Sequence, residues 1–166
     1  MGKIAAKILA SGRGWSVRDV VCAYGPQDKP YEEQHDSHTI AVVIEGSFQY
    51  RSKCGSEVLS PGALLLGSYG GYFECGHEHG TGDRCISFQY SPEFFERAGV
   101  ACLFPVHRIP PLAELAPWVV EARLTALAPE QAPLEEMAHG MAGAVLEVLG
   151  RGTQAGRAPT AADLRR

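Results

Sequence analysis

The stretch HDSHTIAVVIEGSFQYRS, residues 35–52, decides how this chain is read. From Thr39 to Ile44 it is apolar and rich in β-branched side chains, and after Glu45-Gly46 polar and aromatic residues alternate through Phe48, Gln49, Tyr50 and Arg51. Both textures suit a pleated surface, and a glycine-containing pair between two such runs predicts a hairpin turning at Glu45-Gly46. Working outward, WSVRDVVCAY (15–24) precedes it, and SEVLSPGALLLG (56–67), YFEC (72–75) and RCISFQY (84–90) follow, with SKCGSE (52–57) as the next turn. Short strands punctuated by Gly, Pro and Ser predict an all-β sandwich or barrel.

The texture changes after Pro110-Pro111. Leu112, Leu115, Trp118, Val119, Ala122 and Ala126 recur at helical spacing, which predicts a helix kinked at Pro117. A second helix is expected from Pro133, with Leu134, Met137, Met141, Val145 and Val148 as one apolar stripe, ending at Gly150-Arg151-Gly152. That stripe is read either as a homodimer face or as a surface packed on the β-layer. GRGTQAGRAP (150–159) reads as a flexible linker, and TAADLRR (160–166) opens like a capped helix with Thr160 at the N-cap and Asp163 three residues on, an expected domain boundary.

Composition narrows the function. A chain of 166 residues with 45% hydrophobic content fits one ordinary domain. A net charge of −4 supplies no field for a phosphate backbone, so nucleic-acid binding by this chain itself is not expected. Lys3 and Lys7 interrupt the apolar N-terminus, which therefore lacks a signal-peptide core, and no run is long enough to span a bilayer. A cytoplasmic location is expected, with five cysteines kept reduced as ligands, sensors or core residues.

The densest chemistry lies in FECGHEHGTGDRC, residues 73–85. Cys75, His77 and His79 are two apart in an extended segment, and the GTGD turn is read as folding Cys85 back beside Cys75. Two thiolates and two imidazoles suit zinc better than calcium or magnesium, so Cys75, His77, His79 and Cys85 are the candidate metal ligands. His35 and His38 are candidate additional ligands or pocket residues, and Asp83 or Glu78 can orient an imidazole. The plainer reading, small buried cysteines and exposed histidines on a glycine-rich loop, stands beside it. Cys22 and Cys102 read as core residues, Cys54 as a turn residue, and His107 and His139 as structural or exposed. Phe48, Tyr50, Phe88 and Tyr90 fit a pocket lining or a core equally well, because alternation does not say which face is the lumen. No serine elbow, phosphate loop or helical zinc-protease motif is present, so no catalytic residue is assigned.

Taken together, HDSHTIAVVIEGSFQYRS, the L-x-PG-x-LLL strand and the ECGHEH…GDRC loop, followed by a helical pair, resemble the N-terminal cupin-type sensor domain of AraC-family transcription regulators, over residues 17–166. The resemblance implies a mainly β fold, a cupin-like β-barrel (jelly roll) over 1–110, a helical dimerisation element over 111–150, and a linker with the start of a DNA-binding domain over 151–166. It further implies a ligand- or metal-sensing regulator that senses a small-molecule effector, forms a homodimer and meets DNA only through a C-terminal double helix-turn-helix domain. Laid on the metal-binding cupin pattern, His35 takes the first histidine, but Ser37, Thr39 and Phe73 fall on the other ligands, so the usual metal centre is broken. The alternatives are a small stand-alone metal-dependent cupin enzyme and a dimerisation module without a ligand.

Overall fold

The computed structural model describes residues 3–30, 32–78, 80–97, 99 and 104–155. Ten strands and three α-helices follow in chain order: β1 (Ile4–Gly12), β2 (Trp15–Cys22), β3 (Glu32–Gln34), β4 (His38–Gly46), β5 (Phe48–Ser52), β6 (Gly55–Leu59), β7 (Leu64–Gly67), β8 (Tyr72–Gly76), β9 (Asp83–Tyr90), α1 (Pro92–Arg97), β10 (Arg108–Ile109), α2 (Ala116–Leu127) and α3 (Leu134–Ala155). One sheet runs β1-β2-β9-β4-β7-β10 and the other β3-β8-β5-β6.

The wiring is nested. β5 pairs β6, β4 pairs β7, β3 pairs β8 and β2 pairs β9, all antiparallel, as in one long folded ribbon. The ribbon then rolls so that β4 meets β9 and β5 meets β8. This is the wiring of a jelly roll, whose two sheets enclose a lumen.

Two expected hairpins are corrected by this topology. Glu45-Gly46 does not join paired strands, because β4 and β5 lie in different sheets. Gly46 is instead a corner with φ +74°, pressed so close to Gly82 that a Cβ would lie 2.2 Å from its carbonyl oxygen, which only glycine tolerates. Likewise β8 and β9 do not pair, so the GTGD segment carries the chain from one sheet to the other, leaving Cys75 and Cys85 on different sheets. The N-terminal segment, read only as unsuited to a signal peptide, forms the edge strand β1 against β2.

The middle of the larger sheet is buried on both faces. On β4, β7 and β9 the side chains of Ile40, Val42, Leu64, Leu66, Ile86, Phe88 and Tyr90 join the helices in one core. Ala41, Val43, Leu65 and Cys85 turn to the lumen and meet Phe48, Tyr50 and Leu59. Two-sided burial explains the continuous apolar run of β4. It also separates the four aromatics: Phe48 and Tyr50 face the lumen, whereas Phe88 and Tyr90 face the helices.

Pro117 does not kink a helix. It lies in the first turn of α2, after a short 3-10 turn at Ala113–Leu115, where its missing N–H costs nothing. α3 continues through Ala155, beyond the expected stop at 150–152; residues 156–166, with the rest of the expected linker and the capped start, lie outside the described residues. Gly140 lets the two helices approach, since a Cβ there would sit 1.9 Å from the Trp118 ring. Tyr90 donates from its hydroxyl to the Ala138 carbonyl at 2.6 Å, and Arg84 donates to the Ala126 carbonyl at 2.8 Å, so β9 holds both helices.

The stripe expected at a dimer interface is used inside the chain. Leu134, Met137, Met141 and Val145 are buried in the core shared with the sheet, and Val148 packs at its edge. Within the helical layer, apolar exposure lies instead on the outer face of α2, where Val120, Leu124 and Leu127 are 51%, 52% and 81% exposed. Met141→Ala should therefore lower the unfolding free energy by about 2–5 kcal/mol, as core truncations do. Leu124→Ala should change it by less than about 0.5 kcal/mol. Urea denaturation of both variants checks the pair, and equal effects would contradict this packing.

Candidate functional site

Between the sheets lies a cavity of about 330 Å³, lined from β1, β2, β3, β4, β5, β7, β8 and β9 and the segments that join them. Strand alternation decides its lining. On β2, Trp15 and Val17 face the helices, which turns Arg18, Val20 and Cys22 into the lumen; on β9, Asp83, Cys85, Ser87 and Gln89 do the same. Register then places these side chains beside one another, with Cys22 opposite Asp83 and Arg18 opposite Ser87.

One end of the cavity is built on Asp83. His77 Nε2 lies 2.5 Å from Asp83 Oδ2, and the Cys85 thiol donates to Oδ1 at 3.8 Å. The Cys22 sulfur approaches the same carboxylate from β2. One ligand atom from each of Cys22, His77 and Asp83 falls within 4.8 Å of the others. The imidazole is held by rings as well: Tyr24 stacks on His77 at 6.5 Å, and Phe48 lies 6.2 Å away. Burial pushes the Cys22 thiol up to about 11, with the Asp83 charge adding to the effect. Burial also raises Cys75 and Cys85, and it raises Asp83 against the opposing hydrogen bonds from His77 and Cys85. Without a bound cation these thiols therefore stay protonated at neutral pH and are weak nucleophiles.

The other end is an amide and hydroxyl network facing a cation. Ser37 and Thr39 both donate to Gln89 Oε1, the latter at 2.9 Å, and Gln89 Nε2 donates to Ser87 Oγ. Arg18 lies against this network, and its buried Nε has no hydrogen-bond partner among the described residues. The other such nitrogen, Arg108 Nε, does not line the cavity. His35 stands between this cavity and a wider one of about 610 Å³, bonded through Nε2 to the Tyr50 hydroxyl at 2.8 Å and stacked on Phe73 at 4.1 Å. At the wider cavity, Ser52 Oγ and His107 Nδ1 are 2.8 Å apart.

Of the expected metal ligands, the structure brings His77 into the three-residue group and leaves Cys75 and Cys85 out of it. Both cysteines line the same cavity, Cys75 from the smaller sheet and Cys85 from the larger one, and His79 lies outside the described residues. His35 lines the cavity as expected. His38 does not: one residue before Thr39, it points to the opposite face, where Nδ1 accepts the Tyr69 N–H at 3.0 Å and Phe95 packs edge-on at 5.4 Å. Of the two residues considered for orienting an imidazole, Asp83 occupies that position, while Glu78 is exposed and pairs with Arg51 at 2.9 Å. Arg18, Ser87, Gln89 and a ligand-forming Cys22 were not singled out from the sequence, although alternation from Trp15 and Val17 places Arg18 and Cys22 on one face.

No protein-family model and no curated protein matches this chain. Among solved structures, a cupin domain of an XRE-family transcriptional regulator from Enterobacter cloacae is similar at 15% identity and TM-score 0.46, covering 54% of this chain and 97% of that one. A cupin superfamily protein from Desulfitobacterium hafniense is similar at 12% identity and TM-score 0.45, over 54% of this chain and 78% of the other. The EutQ protein of Clostridium difficile is similar at 14% identity and TM-score 0.45, over 53% and 68%. At these scores the fold rests on the strand pairing above, and none of these likenesses carries the functional argument. No helix among the described residues is long and apolar enough to cross a membrane.

Burial lowers His35 to about 4, below its ordinary value near 6.5. The unfolded chain therefore binds a proton between about pH 6.5 and 4 that the folded chain does not, so stability falls as pH drops through this window and levels below it. At roughly 1.4 kcal/mol for each pH unit of that window, the loss amounts to at most about 3.5 kcal/mol. His35→Gln should remove most of this slope in denaturation at stepped pH, leaving a smaller part from His38, which burial also lowers. An unchanged slope would contradict the burial of His35.

Proposed function

We propose that this chain is the ligand- or metal-sensing regulatory domain of an AraC-type transcription regulator, non-catalytic in itself. DNA contact belongs, on this reading, to a C-terminal helix-turn-helix domain of the full-length protein. The observation that carries the sensing role is Arg18, a cationic residue of the cavity wall whose buried Nε has no partner among the described residues. An unpaired buried donor is costly, and a bound acceptor relieves it. A planar fork beside Ser87 and Gln89 suits a carboxylate, and Val20, Ala41, Leu65 and Phe73 line the same space for an apolar body. The effector we infer is a small carboxylic acid with an apolar portion.

The homodimer belongs to the same proposal, moved from the α3 stripe to the exposed Val120, Leu124 and Leu127 of α2. Sedimentation of Leu124→Glu checks it: a dimer as strong as the wild type's would remove that face. A second reading, a metal-dependent enzyme, is favoured by the three-residue group, because three protein ligands leave one position of a tetrahedral ion for substrate or water.

Thermal shift of the purified chain against small carboxylic acids and the matching alcohols tests the proposal. An acid should raise the midpoint in a concentration-dependent way, and Arg18→Ala should weaken that apparent affinity by about 10- to 100-fold, as expected for a charged hydrogen bond. The stabilising compound should be recovered unchanged after incubation. Its conversion to a product would favour the enzyme, and equal affinity in Arg18→Ala would overturn the assigned role of the cavity.

A further inference from the structure

The cavity's other end makes a separate case. We propose that Cys22, His77 and Asp83 form a binding site for a single zinc ion that bridges the two sheets. Cys22 closes β2 and Asp83 opens β9, and their register places them side by side on the lumen face. His77 follows β8, which belongs to the facing sheet. The carbonyl of Tyr24 accepts the Gly82 N–H at 2.8 Å, so the segments just beyond Cys22 and just before Asp83 are tied together. The donor atoms already lie within 4.8 Å of one another on a scaffold held from both sides.

The donor set selects the ion. One thiol sulfur, one imidazole nitrogen and one carboxylate oxygen suit zinc, whereas calcium and magnesium require oxygen ligands. In the free site, Asp83 holds the hydrogen bonds of His77 and Cys85, with the Cys22 sulfur within 4.8 Å. When zinc enters, the His77–Asp83 hydrogen bond gives way to two metal bonds, the imidazole proton moves to Nδ1, and the Cys22 thiol proton leaves to solvent. Cys85 keeps its bond to Asp83 Oδ1 and orients the ligating carboxylate. The fourth tetrahedral position then opens into the cavity, where water or a donor atom of a bound molecule completes it.

This set differs from the four residues expected in the 73–85 loop: it needs Cys22, remote in sequence, and does not need Cys75. It is separate from the acid site at Arg18, since zinc stoichiometry can fail while the chain still binds an acid there, and the reverse.

The test is dialysis of the purified chain against buffered zinc followed by elemental analysis. The wild type should retain about one zinc ion per chain, as three protein ligands allow. Cys22→Ser and His77→Gln should retain none, Cys75→Ser should retain the wild-type amount, and Cys85→Ala should bind about 10- to 100-fold more weakly. Cobalt(II) substituted into the wild type should give a thiolate-to-metal charge-transfer band, which tests sulfur ligation even if Cys22→Ser does not fold. No retained zinc, wild-type zinc in Cys22→Ser, loss of zinc in Cys75→Ser, or no thiolate band with cobalt would each overturn the site.

Discussion

Two-sided use of β9 is the constraint on which the rest of this structure depends. Strand β9 lies between β2 and β4, and side chains on a strand alternate by necessity, so its eight residues divide into two working sets. Arg84, Ile86, Phe88 and Tyr90 hold the helical layer; Asp83, Cys85, Ser87 and Gln89 line the cavity. A one-residue slip would exchange the sets, placing Asp83 and Gln89 among the helices and Phe88 and Tyr90 in the lumen. The bidentate pairing of Arg84 with Asp19 of β2, at 3.0 and 2.7 Å, and the opposition of Cys22 to Asp83 hold that register from the two faces. Packing of the helices and chemistry of the cavity are thus consequences of one alignment.

Much of the strand and helix content was legible because it is local. Branched and aromatic runs marked β2 and β4 to β9, and helical spacing marked α2 and α3. What was not legible is which strands meet. A glycine between two runs signals a reversal of direction, but a hairpin and a sheet-to-sheet corner both need one, and Gly46 serves as a corner through its approach to Gly82. Pairing across dozens of residues, such as Cys22 with Asp83, leaves no mark in either segment. For the same reason the loop chemistry was read as self-contained, although His77 finds its thiol neighbour on β2. His38 shows the opposite failure: its polarity suggested a pocket, while a position one residue from Thr39 sends it to the aromatic face.

The cavity has the composition of a recognition site rather than of a filled core. A core would satisfy its polar groups or exclude them, as the helix side of β9 does by pairing Arg84 and capping α2 with it. On the lumen side the pattern is uneven. Gln89 is held by Ser37 and Thr39 on its oxygen and by Ser87 on its nitrogen, which fixes its amide, while Arg18 on the same cavity wall keeps a buried Nε without a partner among the described residues. At the other end Asp83, a buried carboxylate, is held by the His77 imidazole and by weak thiol donors, and a cation seated among these groups would gain more from the carboxylate than the thiols do. A cavity polarised between a cationic end and a carboxylate end orients what enters it.

If β9 carries occupancy of the cavity to the helices, ordering its lumen face should be felt on the opposite side of the same strand. Amide hydrogen exchange of the wild-type chain, with and without one equivalent of zinc, measures this most directly. The account predicts slower exchange along Asp83–Tyr90 together with the last turn of α2 near Ala126 and the α3 turn around Ala138, where Arg84 and Tyr90 make their bonds. Zinc that binds yet slows exchange only beside Cys22, His77 and Asp83, leaving α2 and α3 unchanged, would contradict it.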